Sequence, residues 1–257
     1  MSAYSDLVIA SSPNAYFRLG DAAGNPQDLS GKAHHFTANA SLTYGVAGAL
    51  ASPETDKAIT FGGAASQCNQ ATHADLDFAY NANFTIMFWD HHTATTAWLV
   101  MFAKMGAAGG YPYQIRHGGG GNGILVFQRS DGTYTPFVSP DAAYVDGNYH
   151  FFAARKSGGA GGTMQWMVDG VVQNATATDT TTGTTTNAYN VWLGARYDSS
   201  LWWNGTADEL AIFPSALSWS TLEQMYVLGK LGTYPRGRPP VLPVTSMSMQ
   251  TIQRVLQ

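Results

Sequence analysis

Short runs of alternating apolar and polar residues, interrupted by Gly, Asn, Asp and Thr, recur along the chain and predict half-buried antiparallel strands. In residues 84–89, Phe84, Ile86 and Phe88 share one side while Thr85, Met87 and Trp89 share the other. Both sides are largely apolar, as a strand near the centre of a packed sandwich requires. Residues 98–102, 113–117, 124–129, 133–138 and 149–156 read as further strands, with the Gly-rich stretches 106–110 and 118–123 as breaks between them. Residues 163–168 run into Asp169-Gly170 and then Val171-Val172, the strongest hairpin signal, because Asp-Gly accepts the positive φ values of a two-residue turn. Residues 191–194 and 208–213 supply late strands. One helix stands out, with Ser218 as its cap, Leu222, Met225 and Tyr226 on one face and Gly229 as its terminator. Many strands, one short helix and no strand–helix alternation predict an all-β, two-sheet antiparallel sandwich.

The pattern changes near residue 230. We expect an N-terminal segment over 1–11, the sandwich over 12–230, and a Pro-rich linker with a C-terminal arm over 231–257. Pro239, Pro240 and Pro243 make the linker stiff and extended, since proline fixes φ and removes a ladder donor. Met249, Ile252, Val255 and Leu256 are the apolar anchors of the last segment, which is either a frayed tail or an arm that docks on a neighbour.

Charge narrows the partners. The 257 residues carry 13 Lys+Arg against 17 Asp+Glu, a net charge of -4, and only 12% are charged. Phosphate recognition needs clustered cations, so nucleic acid is not expected as a partner. Cys68 is the single cysteine, which excludes an internal disulfide and a thiolate metal cage. No stretch of 18 apolar residues and no basic segment leading into a long apolar run occur, so neither membrane insertion nor a signal peptide is expected.

Several ordered blocks carry a resemblance: Ala15-Tyr16-Phe17-Arg18-Leu19-Gly20-Asp21, Asp28-Leu29-Ser30-Gly31, Ala58-Ile59-Thr60-Phe61-Gly62-Gly63, Met167-Val168-Asp169-Gly170-Val171, and residues 204–213 followed by Ser215-Ala216-Leu217-Ser218. Over residues 12–229 the chain resembles a laminin-G-type, concanavalin A-like lectin/glucanase domain. The resemblance implies a jelly roll whose first and last strands are adjacent, bringing Arg18 and Asp21 near Asp208. It also implies a structural calcium, with Asp208, Asp21 and Asp28 as the side-chain set. Laminin-G-type domains of phage tail, fibre and capsid-decorating proteins look similar, which by analogy gives the leading expectation. That expectation is a noncatalytic virion component assembling with other particle proteins and with copies of itself.

The acidic and histidine residues are the candidates for chemistry. Glycoside hydrolysis needs two carboxylates about 5 to 9 Å apart across the scissile bond. Glu54, Glu209 and Glu223 begin no Glu-x-Asp-x-x-Glu arrangement, and adjacent Asp208 and Glu209 are expected on opposite strand faces. No enzyme is therefore predicted. The pairs His34-His35 and His91-His92 are expected to play surface or loop roles, because adjacent side chains do not readily converge on one ion.

Two surface features remain. Tyr197, Asp198, Trp202, Trp203 and Asn204 concentrate rings beside polar groups, so a sugar ring could stack there while Asp198 and Asn204 address hydroxyls. The competing reading folds Trp202 or Trp203 back onto the sandwich. The Thr-rich residues 176–186 read as an exposed edge or long loop available to another subunit. The alternative function is a carbohydrate-binding module recognising a host-surface or extracellular glycan, placed outside the cell or at its surface.

Overall fold

A computed structural model describes residues 2–39, 41–52, 57–93, 97–107, 109–118 and 124–233. Among them, eight strands form one antiparallel sheet. Its order is β13 (Val171–Thr178), β12 (Thr163–Val168), β11 (Asp146–Ser157), β6 (Phe84–Thr93), β15 (Asn204–Phe213), β4 (Lys57–Gly62) and β3 (Leu42–Ala47), with β1 (Ala15–Phe17) also on β15. The second sheet runs β10 (Phe137–Val138), β9 (Leu125–Ser130), β8 (Tyr111–His117), β7 (Leu99–Lys104), β14 (Val191–Leu193), β5 (Cys68–Gln70) and β2 (Thr37–Ala38). This is the two-sheet jelly-roll sandwich expected from the alternation.

The doubly apolar β6 has a simple cause. Phe84, Ile86 and Phe88 enter the core between the sheets, whereas Met87 and Trp89 enter a second cluster beneath two helices. Those helices are α1 (Ala3–Ala10) and α2 (Trp219–Leu231). The sequence pattern missed α1, which is only eight residues long and buries little more than Tyr4 and Val8 of its apolar face. Its start is fixed by a capping box in which Ser5 stands where Glu or Gln usually does, reciprocating with Ser2.

Ser218 caps α2 by accepting from the Thr221 amide, but the helix runs beyond Gly229 to a left-handed Gly232. A Cβ at Gly229 would lie 2.6 Å from the Trp89 ring, so this glycine serves helix–sheet contact rather than termination. Asp169 (φ 48°) and Gly170 (φ 76°) form the expected hairpin turn.

The first and last sandwich strands are adjacent, with Ala15 opposite Ile212 and Phe17 opposite Leu210. A bulge interrupts β15 between Asp208 and Ala211, and Glu209 takes a left-handed φ of 52°. Ala207 and Leu210 both face the inter-sheet core despite their three-residue spacing. The expectation that Asp208 and Glu209 point to opposite faces is therefore corrected. Asp208 accepts from the Ala49 amide at 2.8 Å and Glu209 accepts from the Tyr16 hydroxyl, both on the helix-bearing side.

The Thr-rich stretch is largely the exposed edge and loop expected of it, with Thr176, Thr178, Thr180, Thr182, Thr184 and Thr186 exposed, but it is pinned at three points. β13 ends at Thr178, and the following residues form a strap anchored on their own chain, with Asp179, Thr181 and Thr185 buried. Thr185 Oγ1 donates to the Phe78 carbonyl at 2.7 Å. Residues 182–186 with Ala79 and Tyr80 line a small cleft of about 290 Å³. The arm residues Pro239, Pro240, Pro243, Met249, Ile252, Val255 and Leu256 lie outside the described residues.

Candidate functional site

The aromatic loop divides between core and surface. Trp203 is fully buried, packs 5.4 Å from Phe61 between ring centroids, and belongs to the inter-sheet core. Trp202 remains partly exposed and forms a bridge with Val100 of β7. Tyr197 is partly exposed, and Asp198 and Asn204 are exposed. The folded-back reading thus holds for Trp203, while Trp202 keeps part of its surface open.

Arg196 holds Asp198 with two bonds, Nε to Oδ1 at 3.0 Å and Nη2 to Oδ2 at 2.6 Å, while Ser200 Oγ donates to Oδ1 at 2.6 Å. These donors, Arg196 foremost, pull the Asp198 carboxyl down to about 2, so it is an anionic acceptor at neutral pH. Ser199 and Leu201 hold positive φ of 54° and 50°, a strained conformation for non-glycine residues. The loop is closed by the Arg196 amide donating to the Ser200 carbonyl at 2.9 Å.

Cross-strand register enlarges this surface with residues that were not singled out from sequence. Tyr113, Ile115 and His117 alternate through β8 toward the core side, so Arg116 points outward, and it lies opposite Val100. The Arg116 guanidinium stacks 3.7 Å above the Trp98 ring, whose residue is 52% exposed. Val100 is buried yet belongs to neither core cluster, and its register partners are Arg116 and Trp202. Trp98, Arg116 and Trp202 thus surround one apolar point on the sheet face opposite the helices. The signal was the alternation through residue 116, but the pairing of β7 with β8 is needed to read it.

The carboxylates considered for catalysis have structural roles. Asp208 and Glu209 are fully buried, and Glu209 receives Arg18 Nε at 2.7 Å as well as the Tyr16 hydroxyl. The calcium set does not fit an oxygen cage. Asp28 already accepts from the Tyr16, Ser30 and His34 amides and the Ser30 hydroxyl, at 2.8–2.9 Å. Burial raises the Asp21 carboxyl, which disfavours the charged form. Among the described residues Asp21, Asp28 and Asp208 do not come together as a metal-spaced group.

Two other groups could coordinate a metal ion: His34, His73 and Asp75, and Asp90, His92 and His117. Each takes one histidine from an adjacent pair. Strand alternation sends His91 against Tyr149, with ring centroids 5.2 Å apart, and turns His92 toward His117 at 3.9 Å. The expectation that these pairs serve only surface or loop roles is corrected by distant partners that complete each group.

A two-sheet antiparallel jelly-roll sandwich with exposed rings on one sheet face has the architecture of a lectin-type domain. Residues 62–223, more than half the chain, match the concanavalin A-like lectin/glucanases superfamily, and the chain belongs to it. No curated protein sequence matches. Among solved structures, the binding domain of Paraclostridial Mosquitocidal Protein 1 is similar with a TM-score of 0.66 and 14% identity, over 85% of this chain and 52% of that one. The binding domain of botulinum neurotoxin serotype G gives 0.64 and 9%, over 84% and 51%. The receptor binding domain of the botulinum neurotoxin C/D mosaic serotype gives 0.64 and 10%, over 84% and 51%. The chain spans about half the length of these structures.

These similarities correct the leading expectation from sequence. The similar structures are toxin binding domains and not phage capsid-decorating, fibre or tail proteins, so the virion assignment, its particle partners and its location are withdrawn. The similar structures are binding domains, and in this chain the buried engagement of Asp208 and Glu209 keeps both carboxylates from facing a substrate. No helix among the described residues is long and apolar enough to cross a membrane.

Proposed function

We propose that this chain is a noncatalytic carbohydrate-binding module that recognises a glycan outside the cell or at its surface. The observation that carries the reading is the Trp98–Arg116–Trp202 platform, with the ionised Asp198 held by Arg196 in the loop that leads into Trp202. Sugar recognition needs this combination. An indole offers a flat apolar face to the C–H side of a ring, while a preoriented carboxylate or amide accepts and donates to hydroxyls. Trp202, Trp98 and Tyr197 would supply the stacking surfaces, and Asp198, Asn204 and Arg116 the polar contacts. Trp203 supports this surface from beneath. Receptor binding, the role of one similar toxin domain, is consistent with recognition of a glycosylated surface. Calcium is not needed to position Asp198, because Arg196 and Ser200 already hold its carboxylate.

The test is a glycan array probed with the full chain, followed by calorimetry on the best ligand. Binding that falls at least about tenfold in Trp202→Ala and Trp98→Ala, with unchanged circular dichroism, supports the proposal; each tenfold loss corresponds to about 1.4 kcal/mol. Absence of any glycan ligand, or a ligand indifferent to both substitutions, overturns it.

A further inference from the structure

The core-facing stripe of β6 begins with Phe84, Ile86 and Phe88 and continues into Asp90 and His92. Opposite it, the stripe Tyr113, Ile115 of β8 ends in His117. Register confirms these orientations. Asp90 pairs with Ala207, and His117 pairs with Leu99 and Leu125, all of which face the inter-sheet core. Three titratable side chains from two sheets therefore meet in the sandwich interior.

They are almost completely enclosed, at 1% exposure for Asp90, 4% for His92 and 0% for His117. Among the described residues, neither oxygen of Asp90 and neither ring nitrogen of His92 has a hydrogen-bond partner. His92 Nδ1 approaches Asp90 Oδ2 at 2.7 Å, but without the alignment of a hydrogen bond. His117 Nε2 lies 3.8 Å from the same oxygen. A carboxylate and an imidazole buried in this way lose hydration without a directed replacement, which is costly unless something else neutralises them.

We propose that Asp90, His92 and His117 form a site for a divalent transition-metal ion of the zinc class, which clips the two sheets together. One ligand atom from each residue lies within 4.8 Å of the other two, a spacing that bonds of about 2.0–2.2 Å close with a small inward rotation of the side chains. Two imidazoles and one carboxylate suit zinc or a neighbouring first-row metal and not calcium, which selects oxygen. The remaining coordination position would take water. The alternative group is less suited to a cation, because Lys32 Nζ already sits 3.3 Å from Asp75 Oδ2.

The clip has a consequence for the surface above it. His117 directly follows Arg116, and its ring lies parallel to Trp203 with centroids 6.4 Å apart and 7° between planes. The ion would hold β8 to β6 beneath the residues that carry the aromatic platform. The site does not depend on the platform binding a sugar.

The experiment uses the full chain, purified without a histidine tag, stripped with chelator and titrated with Co²⁺ and then Zn²⁺. The expected result is one equivalent of cobalt with visible d–d absorption, displaced by zinc, and a raised Tm in the zinc-loaded protein. His92→Gln/His117→Gln should lose that equivalent, while His73→Gln should keep it. No uptake by the folded wild type, or uptake unchanged in the double variant, overturns the proposal. Should the double variant not fold, X-ray absorption on the zinc-loaded His73→Gln protein, in which the other group is broken, decides. A shell of two imidazoles with oxygen supports the site, and any other shell overturns it.

Discussion

Arg129 of β9 and Asp179 of the Thr-rich strap meet inside the protein, Nη1 to Oδ2 at 2.8 Å, with both side chains closed to solvent. The other end of the guanidinium donates to the Phe78 and Ala79 carbonyls and to Thr185 Oγ1 at 3.0–3.2 Å, so one side chain fastens two loops to the second sheet. Lys156 Nζ stands 3.6 Å from the same Asp179 oxygen. Asp179→Ala leaves two buried cations facing each other, and loss of one partner from a buried pair costs about 3–5 kcal/mol. Thermal unfolding should show a Tm drop on the order of 10 °C. A drop near that of a surface substitution would mean the strap is held by its threonines alone.

Much of the fold was legible because alternation reports burial directly. The two apolar faces of residues 84–89 follow from the core on one side and the helices on the other. Asp169-Gly170 was readable because the turn's backbone demand is local. What escaped reading was nonlocal. Gly229 reads as a helix end, and only the Trp89 ring above it explains why the helix continues. The strap reads as an exposed Thr edge or loop, which it largely is, but its anchors, Arg129 and Phe78, lie 50 or more residues away and leave no local signal. Of the site, Trp202 and Asp198 were visible as a local cluster, whereas Trp98 and Arg116 join it through strand pairing. The histidine pairs misled because adjacency was considered without the partners that strand parity supplies.

Cys68 is buried where β5 pairs with both β14 and β2, and burial pushes its thiol up to about 12. Attack on a disulfide reagent needs the thiolate and access, and the native site offers neither. The chain should therefore release almost no thionitrobenzoate from Ellman's reagent at pH 8 until denaturant is added, then one equivalent. Rapid native reaction would show that the edge strand β2 opens easily.

His150 couples β11 to the hairpin turn, with Nδ1 2.6 Å from Asp169 Oδ2 and Nε2 3.0 Å from Asp146 Oδ1. These carboxylates, Asp169 first, raise its pKa above the ordinary value of 6.5. The protonated ring is favoured in the folded state, so its stabilisation is complete below the unfolded pKa and fades as pH rises through the higher folded one. The Tm difference between wild type and His150→Gln should thus be largest near pH 5.5 and shrink by pH 8.5. A difference that grows with pH would require a neutral ring in the native contact.

Gly194 separates the foundation of the aromatic surface from its contacts. Its φ is 90°, its amide donates to the Met101 carbonyl at 2.7 Å, and its own carbonyl accepts from the Trp203 amide at 2.8 Å. A Cβ there would press on the Phe61 ring and lie 2.8 Å from the Ser66 carbonyl oxygen. Gly194→Ala should therefore destabilise the fold by about 1–3 kcal/mol, through a left-handed backbone and an overfilled core. It should also weaken glycan binding indirectly, because Trp202 is carried by the segment that Trp203 anchors. Trp202→Ala removes a partly exposed ring without disturbing that anchor, so it should weaken binding with little change in Tm. Calorimetry and thermal melts on the two variants distinguish a ring that touches sugar from one that only completes the core. Equal Tm losses in both would place Trp202 with Trp203 as packing, and the platform would then rest on Trp98 and Arg116 alone.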